Sequence, residues 1–283
     1  MDKIEVEGIN RLEGSIQISG SKNSSLPILA SSLLIDEEVI ISNVPNLSDV
    51  IFMIKILESL DSKVKFEYPS CKIKSNQPAN LKISYDLVRK MRASFLILGP
   101  LLTKYGYAEV SLPGGCAIGT RPVDFHINAL EKMGAEFVVE DGYIKGKVKG
   151  RLKGCEITLK KISVGATENI IMAATLAEGE TVIKNAACEP EISDLSNFLI
   201  SAGAEIYGHG TNVIKIKGKK KLRGSEFSVM PDRIEAGTFA LCVMGCSGNI
   251  LLENINDLIC NHLEQIFKPL NVLSLKKKIV GKD

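Results

Sequence analysis

Three stretches of the chain repeat one pattern: "ILESLDSKVKFE" from Ile56, "ALEKMGAEFVVEDGYIKGKV" from Ala129 and "FLISAGAEIYGHGTNVIKIKG" from Phe198. Each reads as the end of an amphipathic helix, a break at Asp61, Gly134 or Gly203, and then the alternating residues of a strand. A degenerate fourth copy, "QIFKPLNVLSLKKKIV", starts at Gln265. A period of roughly 70 residues exceeds that of solenoids and propellers and gives each copy room for a small αβ unit. Upstream of the helices lie "EEVIISNVPNLSDV", "AEVSLPGGCAIGTRPVDF", "ETVIKNAACEPEISDL" and "GNILLENINDLICNHL". Each offers a short β-rich run, a loop, and a polar residue (Ser48, Asp124, Ser193 or Asn261) placed to cap the next helix.

Between these units run "SSLPILASSLLI", "MRASFLILGPLL", "ATENIIMAATLA" and "EAGTFALCVMGC", apolar nearly all round and therefore expected to be buried helices. One buried and one amphipathic helix with several strands per unit gives an α/β (α+β) lobe, with units packed around shared helices and sheets outside. Three complete units run to about Lys221, and "SVMPDR" near Pro231 reads as the turn into a second lobe. The expected division is residues 20–229 for a complete three-repeat lobe and residues 1–19 with 230–283 for part of a second. With 45% of 283 residues hydrophobic and 24% charged, such cores are affordable and disorder is not expected.

A formal charge of +2 gives no general reason to expect nucleic acid or an anionic membrane as a partner, so an anion site must be local. The start, "MDKIEVEGINRLEG", carries acids where a signal peptide needs a basic region, and no apolar run reaches membrane-span length. The expectation is a cytoplasmic protein. Seven scattered cysteines without a C-x-x-C pair indicate neither a disulfide framework nor a zinc knuckle. His126, His209 and His262 show no ligand spacing, and no metal or other cofactor is expected.

In "ISGSKNSSLPILA" a strand ends at Gly20, and Lys22 and Asn23 stand just before a helix opened by Ser24 or Ser25. A lysine beside unpaired helix N–H groups is placed to hold a small anion, although it equally suits a solvated loop. In "YDLVRKMRASFLILGP", Arg89, Lys90 and Arg92 crowd the start of a buried helix, where cations oppose the macrodipole unless an anionic ligand is present. Asp86 accounts for Arg89, which leaves Arg92 as the candidate. In "PGGCAIGTRPVDFH", Cys116 sits on a glycine-rich loop with Arg121 close behind, able to hold a thiolate or an anionic substrate. A buried, inert cysteine is the competing reading. "KKISVGATEN" adds Lys161, Ser163 and the amides of Val164 and Gly165 at another helix start. The basic run "KIKGKKKLRG" reads as a solvated hairpin, since it lacks the interleaved aromatics of a nucleic-acid surface, and no P-loop or Rossmann glycine pattern occurs.

Taken in order and spacing, "SGSKNSSLPILASSLL", "LSDV", "RKMRASFLILGPLL", "LPGGCAIGTRPVDFH", "ALEKMGAE", "ISVGATEN", "EPEISDLSNFLISAGA" and "MPDRIEAGTF" resemble the UDP-N-acetylglucosamine enolpyruvyl transferases. The likeness is dense to about Gly248, and the cysteine loop distinguishes this family from the related 5-enolpyruvylshikimate-3-phosphate synthases. The resemblance implies an inside-out α/β barrel of two three-repeat lobes. It also implies transfer of the enolpyruvyl group of phosphoenolpyruvate to the 3′-hydroxyl of UDP-N-acetylglucosamine with release of phosphate, the first committed step of peptidoglycan synthesis. By likeness, Lys22 and Asn23 match phosphoenolpyruvate-site residues. Arg92, the run Arg121, Pro122, Val123, Asp124 and Phe125, and the run Lys161, Ile162, Ser163 and Val164 match nucleotide-sugar contacts, with Arg121 also near phosphoenolpyruvate. Cys116 matches the loop cysteine that donates a proton to C3 and can add covalently to phosphoenolpyruvate.

Six such repeats need on the order of 420 residues, so the chain reads as C-terminally truncated relative to the family. The absent part supplies, in the family, an aspartate that takes the hydroxyl proton and arginines on the far side of the cleft. The alternative to an active transferase is therefore a catalytically inactive UDP-N-acetylglucosamine-binding lobe or half of a split enzyme completed by a companion chain. Exposed apolar surface is expected on the partial second lobe around "FALCVMGC".

Overall fold

The computed structural model describes residues 3, 5, 7–8, 11–88, 91–111 and 123–270, with Arg92 and Leu270 described by backbone alone. In chain order the strands are β1 (Leu12–Gln17), β2 (Val39–Ser42), β3 (Lys63–Glu67), β4 (Ser70–Lys74), β5 (Lys82–Ile83), β6 (Tyr107–Ser111), β7 (Ala135–Glu140), β8 (Tyr143–Val148), β9 (Glu156–Thr158), β10 (Glu180–Lys184), β11 (Glu205–Tyr207), β12 (Val213–Lys217), β13 (Glu226–Ser228) and β14 (Gly248–Glu253). The helices are α1 (Lys22–Ser31), α2 (Ser48–Ser59), α3 (Tyr85–Val88), α4 (Leu98–Tyr105), α5 (Asp124–Lys132), α6 (Val164–Thr175), α7 (Pro190–Ser201), α8 (Arg233–Cys246) and α9 (Asp257–Phe267). The fold is mixed α/β. The contacts divide the chain into two compact units, Lys22–Val229 and Met1–Ser21 with Met230–Asp283.

Within Lys22–Val229 there are three four-stranded sheets of one design, ordered β13-β2-β4-β3, β5-β6-β8-β7 and β9-β10-β12-β11. In each, a short edge strand runs parallel to its neighbour, and a hairpin pairs antiparallel on the other side. The edge strand of the first sheet, β13, comes from the far end of the unit, so the third repeat ties back to the first. All three sheets are open, and the described strands close no barrel. The mostly buried helices α1, α4 and α6 join in one core with the inner faces of the amphipathic helices, including Ile28, Leu101, Ile170, Leu57, Leu130 and Phe198.

Two local devices recur. The breaks at Asp61, Gly134 and Gly203 all adopt left-handed backbone, φ 59°, 99° and 100°, which turns each amphipathic helix into its strand. Asn43, Asn185 and Asn254 follow β2, β10 and β14, also left-handed at φ 55°, 57° and 56°. Their side-chain amides donate to Val229 O, Leu159 O and Ile18 O at 2.8, 2.9 and 2.7 Å, fastening each strand end to its parallel neighbour. Asparagine tolerates this conformation at small cost and supplies the donor as well.

Several expectations are corrected. Ser48 and Asp124 are the first helical residues, after Leu47 and Val123, and their side chains cap nothing. Ser193 lies inside α7, which opens at Pro190, because a proline's missing N–H costs nothing in the first turn. Asn261 lies inside α9, whose cap is Asn256, accepting from Ile259 N at 2.9 Å. "MRASFLILGPLL" is a 3-10 segment, Arg92–Ile97, that changes to α-helix at Leu98. "KIKGKKKLRG" is no hairpin, since β12 and β13 belong to different sheets and the lysines cross between them. Lys219 pairs with Glu205, and Lys221 lies 3.4 Å from Glu37.

In the other unit β1 pairs parallel with β14, and α8 and α9 bury Ala236, Ala240, Ile259, Leu263 and Phe267 against Ile18 and Met230. Asp232 caps α8 by accepting from Ile234 N and Glu235 N. Leu241 (55% exposed), Ile266 (59%) and Leu251 (46%) leave apolar surface open on this unit, as expected for "FALCVMGC". No described helix is long and apolar enough to cross a membrane.

Candidate functional site

Lys22 is the first residue of α1, and the first turn of that helix contains no acid to offset its charge. The compensating anion comes from α2: Asp49 Oδ2 lies 3.1 Å from Lys22 Nζ. Two helix N-termini thus converge on one ion pair, with backbone N–H groups of both unsatisfied within their helices. A phosphate or carboxylate arriving there meets a favourable field, and Asp49 occupies the role of that anion beside Lys22. Asn23 is exposed next to it, while Ser24 is buried and donates to Asp194 of α7.

The second group lies on α5 and α6, which pack together. Val123 stands at the N-cap position of α5, Asp124 is exposed in its first turn and Phe125 is half-buried. Lys161 and Ile162 are exposed, Ile162 at 61%, unusual for an isoleucine beside a buried helix. Ser163 caps α6, its hydroxyl accepting from Ala166 N at 3.3 Å, and Val164 is the first helical residue. A small open cleft of ≈ 70 Å³ lies among Phe125, Asn128, Lys132, Thr158 and Lys160, so two lysines and an aromatic ring border the space between α5 and the segment 157–160.

Arg92 opens the 3-10 segment, and its side chain is outside the description. Cys116, Arg121 and Pro122 lie outside the described residues altogether. Of the described cysteines, Cys71 is fully buried and its thiol is pushed up to about 12, mainly by burial and then by Glu58. Burial likewise raises Cys155. Neither is a poised nucleophile. Among the described residues no cluster of His, Cys, Asp and Glu is placed to hold a metal ion.

Two residues next to the second group were not singled out in the sequence, although polar residues inside "ATENIIMAATLA" were the available signal. Glu168 is 4% exposed, and burial first, then the charges of Glu191 and Glu189, hold its carboxyl well above the usual range. Asn169 is fully buried and hydrogen-bonded to three other segments.

The family model for EPSP synthase (3-phosphoshikimate 1-carboxyvinyltransferase) matches residues 6–275. A UDP-N-acetylglucosamine 1-carboxyvinyltransferase of Thermotoga petrophila is 46% identical over the whole of this chain and 67% of its own length. This chain belongs to that family of carboxyvinyltransferases. Its counterpart in Coxiella burnetii (strain Dugway 5J108-111) is 52% identical over 90% of this chain and 59% of that protein. The chain thus spans about three fifths of the length of that relative. Among solved structures, the enolpyruvyl transferase NikO from Streptomyces tendae superimposes with a TM-score of 0.81 at 20% identity, over 93% of this chain and 62% of that one. An EPSP synthase from Acinetobacter baumannii gives 0.72 at 19% identity, over 91% and 60%. These likenesses speak for the fold.

Proposed function

We propose that this chain binds UDP-N-acetylglucosamine and phosphoenolpyruvate and takes part in transferring the enolpyruvyl group to the sugar's 3′-hydroxyl. The observation that carries the reading is the placement of residues 123–125 and 161–164 at the starts of two helices that pack together, with Phe125 also bordering a lysine-edged cleft beside α5. A sugar nucleotide needs what these residues offer: helix N-termini and lysines for a diphosphate, and exposed apolar side chains such as Ile162 for a base. Lys22, with Asn23 beside it, is the anchor for phosphoenolpyruvate, whose phosphate or carboxylate displaces Asp49 from the lysine.

In this reading the 3′-oxygen adds to C2 of phosphoenolpyruvate as Cys116 delivers a proton to C3, and the hydroxyl proton passes to a base. The tetrahedral adduct then breaks its C2–O bond to phosphate and loses a proton from C3, which regenerates the double bond as an enol ether. Arg121 and Lys22 balance the anionic charge, and Arg92 joins residues 121–125 and 161–164 on the nucleotide. The wider reading has residues 20–229 as a three-repeat lobe of the inside-out α/β barrel type and residues 1–19 with 230–283 as part of a second. The three sheets of one strand order support it. It places the protein in the cytoplasm, at the entry to peptidoglycan synthesis and so upstream of cell-wall growth, shape and division, with small molecules rather than nucleic acid or membrane as partners.

The test is release of inorganic phosphate from phosphoenolpyruvate, measured with and without UDP-N-acetylglucosamine, and with and without a companion polypeptide supplying the remaining length of the relatives. Release that needs the sugar nucleotide and is lost in Cys116→Ala and Arg121→Ala supports the reading. Failure of the chain to bind UDP-N-acetylglucosamine in calorimetry overturns it.

A further inference from the structure

Asn169 stands inside α6, a mostly apolar and buried helix, and both polar atoms of its side chain are engaged. Its Oδ1 accepts from Gly99 N at 2.6 Å. Its Nδ2 donates to Phe95 O at 3.0 Å and lies 3.0 Å from His126 Nδ1. The orientation of the amide is fixed by its partners: a backbone N–H only donates and a carbonyl only accepts, so oxygen faces Gly99 and nitrogen faces Phe95. The second hydrogen on Nδ2 then makes His126 Nδ1 the acceptor and puts the imidazole proton on Nε2.

The three partners belong to three different elements. Phe95 lies in the 3-10 segment opened by Arg92, Gly99 in the first turn of α4, and His126 directly after Phe125 on α5. Asn169 itself is on α6, whose start is Ser163 and Val164. The Gly99 N–H falls where the 3-10 segment becomes α-helix, a position with no carbonyl of its own helix to bond, and Asn169 caps it from the neighbouring helix. The fit is close. A Cβ at position 99 would come within 2.6 Å of the Asn169 carbonyl oxygen, and one at Gly165 within 3.3 Å of His126 Cε1. The Phe95 ring meets the imidazole edge-on, at 5.3 Å and 88°.

We propose that Asn169 is a positioning residue. It touches no substrate, but through His126, Phe95 and Gly99 it sets the mutual placement of the segments that begin at Arg92, Val123 and Lys161, which together grip the nucleotide sugar. This rests on the functional reading above. An apolar residue of the same size fills the space but holds no register between the three segments, because its contacts have no direction.

The experiment compares Asn169→Ala, His126→Leu, their combination, and His126→Asn, whose side-chain oxygen replaces the Nδ1 acceptor. Each variant is first shown to be folded by its thermal transition. Two quantities follow: the dissociation constant for UDP-N-acetylglucosamine by calorimetry, and amide hydrogen exchange in residues 93–99 and 123–129. Asn169→Ala and His126→Leu are each expected to weaken binding by about tenfold, the worth of one buried hydrogen bond, and their combination by less than the product. His126→Asn retains binding within about threefold. Exchange rises in both segments in Asn169→Ala, including at the Gly99 amide. Parental affinity in a folded Asn169→Ala or His126→Leu, or faster exchange confined to α6, overturns the proposal. If the parent chain binds no UDP-N-acetylglucosamine, the functional reading fails, and the exchange result alone decides whether Asn169 couples the segments.

Discussion

Replacing Phe198 with alanine empties the point at which the third repeat meets the first. Phe198 lies on α7, is fully buried, and meets Phe227 of β13 edge-on at 5.6 Å and 70°. Phe227 is in register with Ile41 of β2, so the ring pair presses the last strand of the unit onto the first sheet. Truncation of a buried phenylalanine costs about 3–5 kcal/mol, and the cavity relaxes little where both walls are regular structure. In a unit of about 200 residues each kcal/mol moves the melting temperature by about 2–4 °C, so the shift is roughly 6–20 °C. Calorimetry measures the transition, and hydrogen exchange locates the loss. Protection is expected to fall in β13 and β2 as well as in α7, because the strand pairing depends on the ring. A shift below about 3 °C, or a loss confined to α7, refutes the claim that this contact closes the three repeats on one another.

Other outcomes follow from the same structure. Glu168 holds its proton above the unfolded carboxyl range, so the folded state binds more protons than the unfolded one. Its contribution is fully present below about pH 4.5 and is lost as pH rises toward the folded pKa. Glu168→Gln should therefore raise stability at pH 8 more than at pH 5 in paired thermal melts. Asp49→Asn removes the anion beside Lys22; because that pair is partly exposed, stability changes by less than about 1 kcal/mol, while phosphate affinity by calorimetry rises a few-fold. Gly99→Ala drives a methyl group into the Asn169 carbonyl and costs about 1–3 kcal/mol by denaturant titration. Thiol labelling followed by mass spectrometry should mark the exposed Cys188 and Cys242 in the native protein and leave Cys71 unmodified until it unfolds.

The repeat was legible because its signals are local. Asp61, Gly134 and Gly203 end helices through their own backbone conformation, and hydrophobic period distinguishes the helix before each from the strand after it. What the sequence hid is what depends on distant partners. Nothing near Phe227 says that β13 joins the first sheet, and nothing near Ser48 or Ser193 says that these serines cap no helix. The 3-10 start of "MRASFLILGPLL" escapes a periodicity argument because Asn169, some seventy positions on, satisfies the Gly99 amide there. At the candidate site helix starts near Lys22, Asp124 and Val164 were readable from loop residues, but α1 opens at Lys22 rather than at Ser24 or Ser25, and Asp124 is the first helical residue rather than the cap. The Lys22–Asp49 pair and the buried Glu168 and Asn169 were not readable, because burial and pairing are properties of the assembled core.

Hydrogen–deuterium exchange with and without UDP-N-acetylglucosamine tests most directly the proposal that the starts of α5 and α6 form one ligand-binding surface. The expected footprint is slowed exchange in residues 123–127 and 161–167, with the β3–β4 hairpin unchanged. Protection that appears elsewhere, or none at saturating sugar nucleotide, contradicts it.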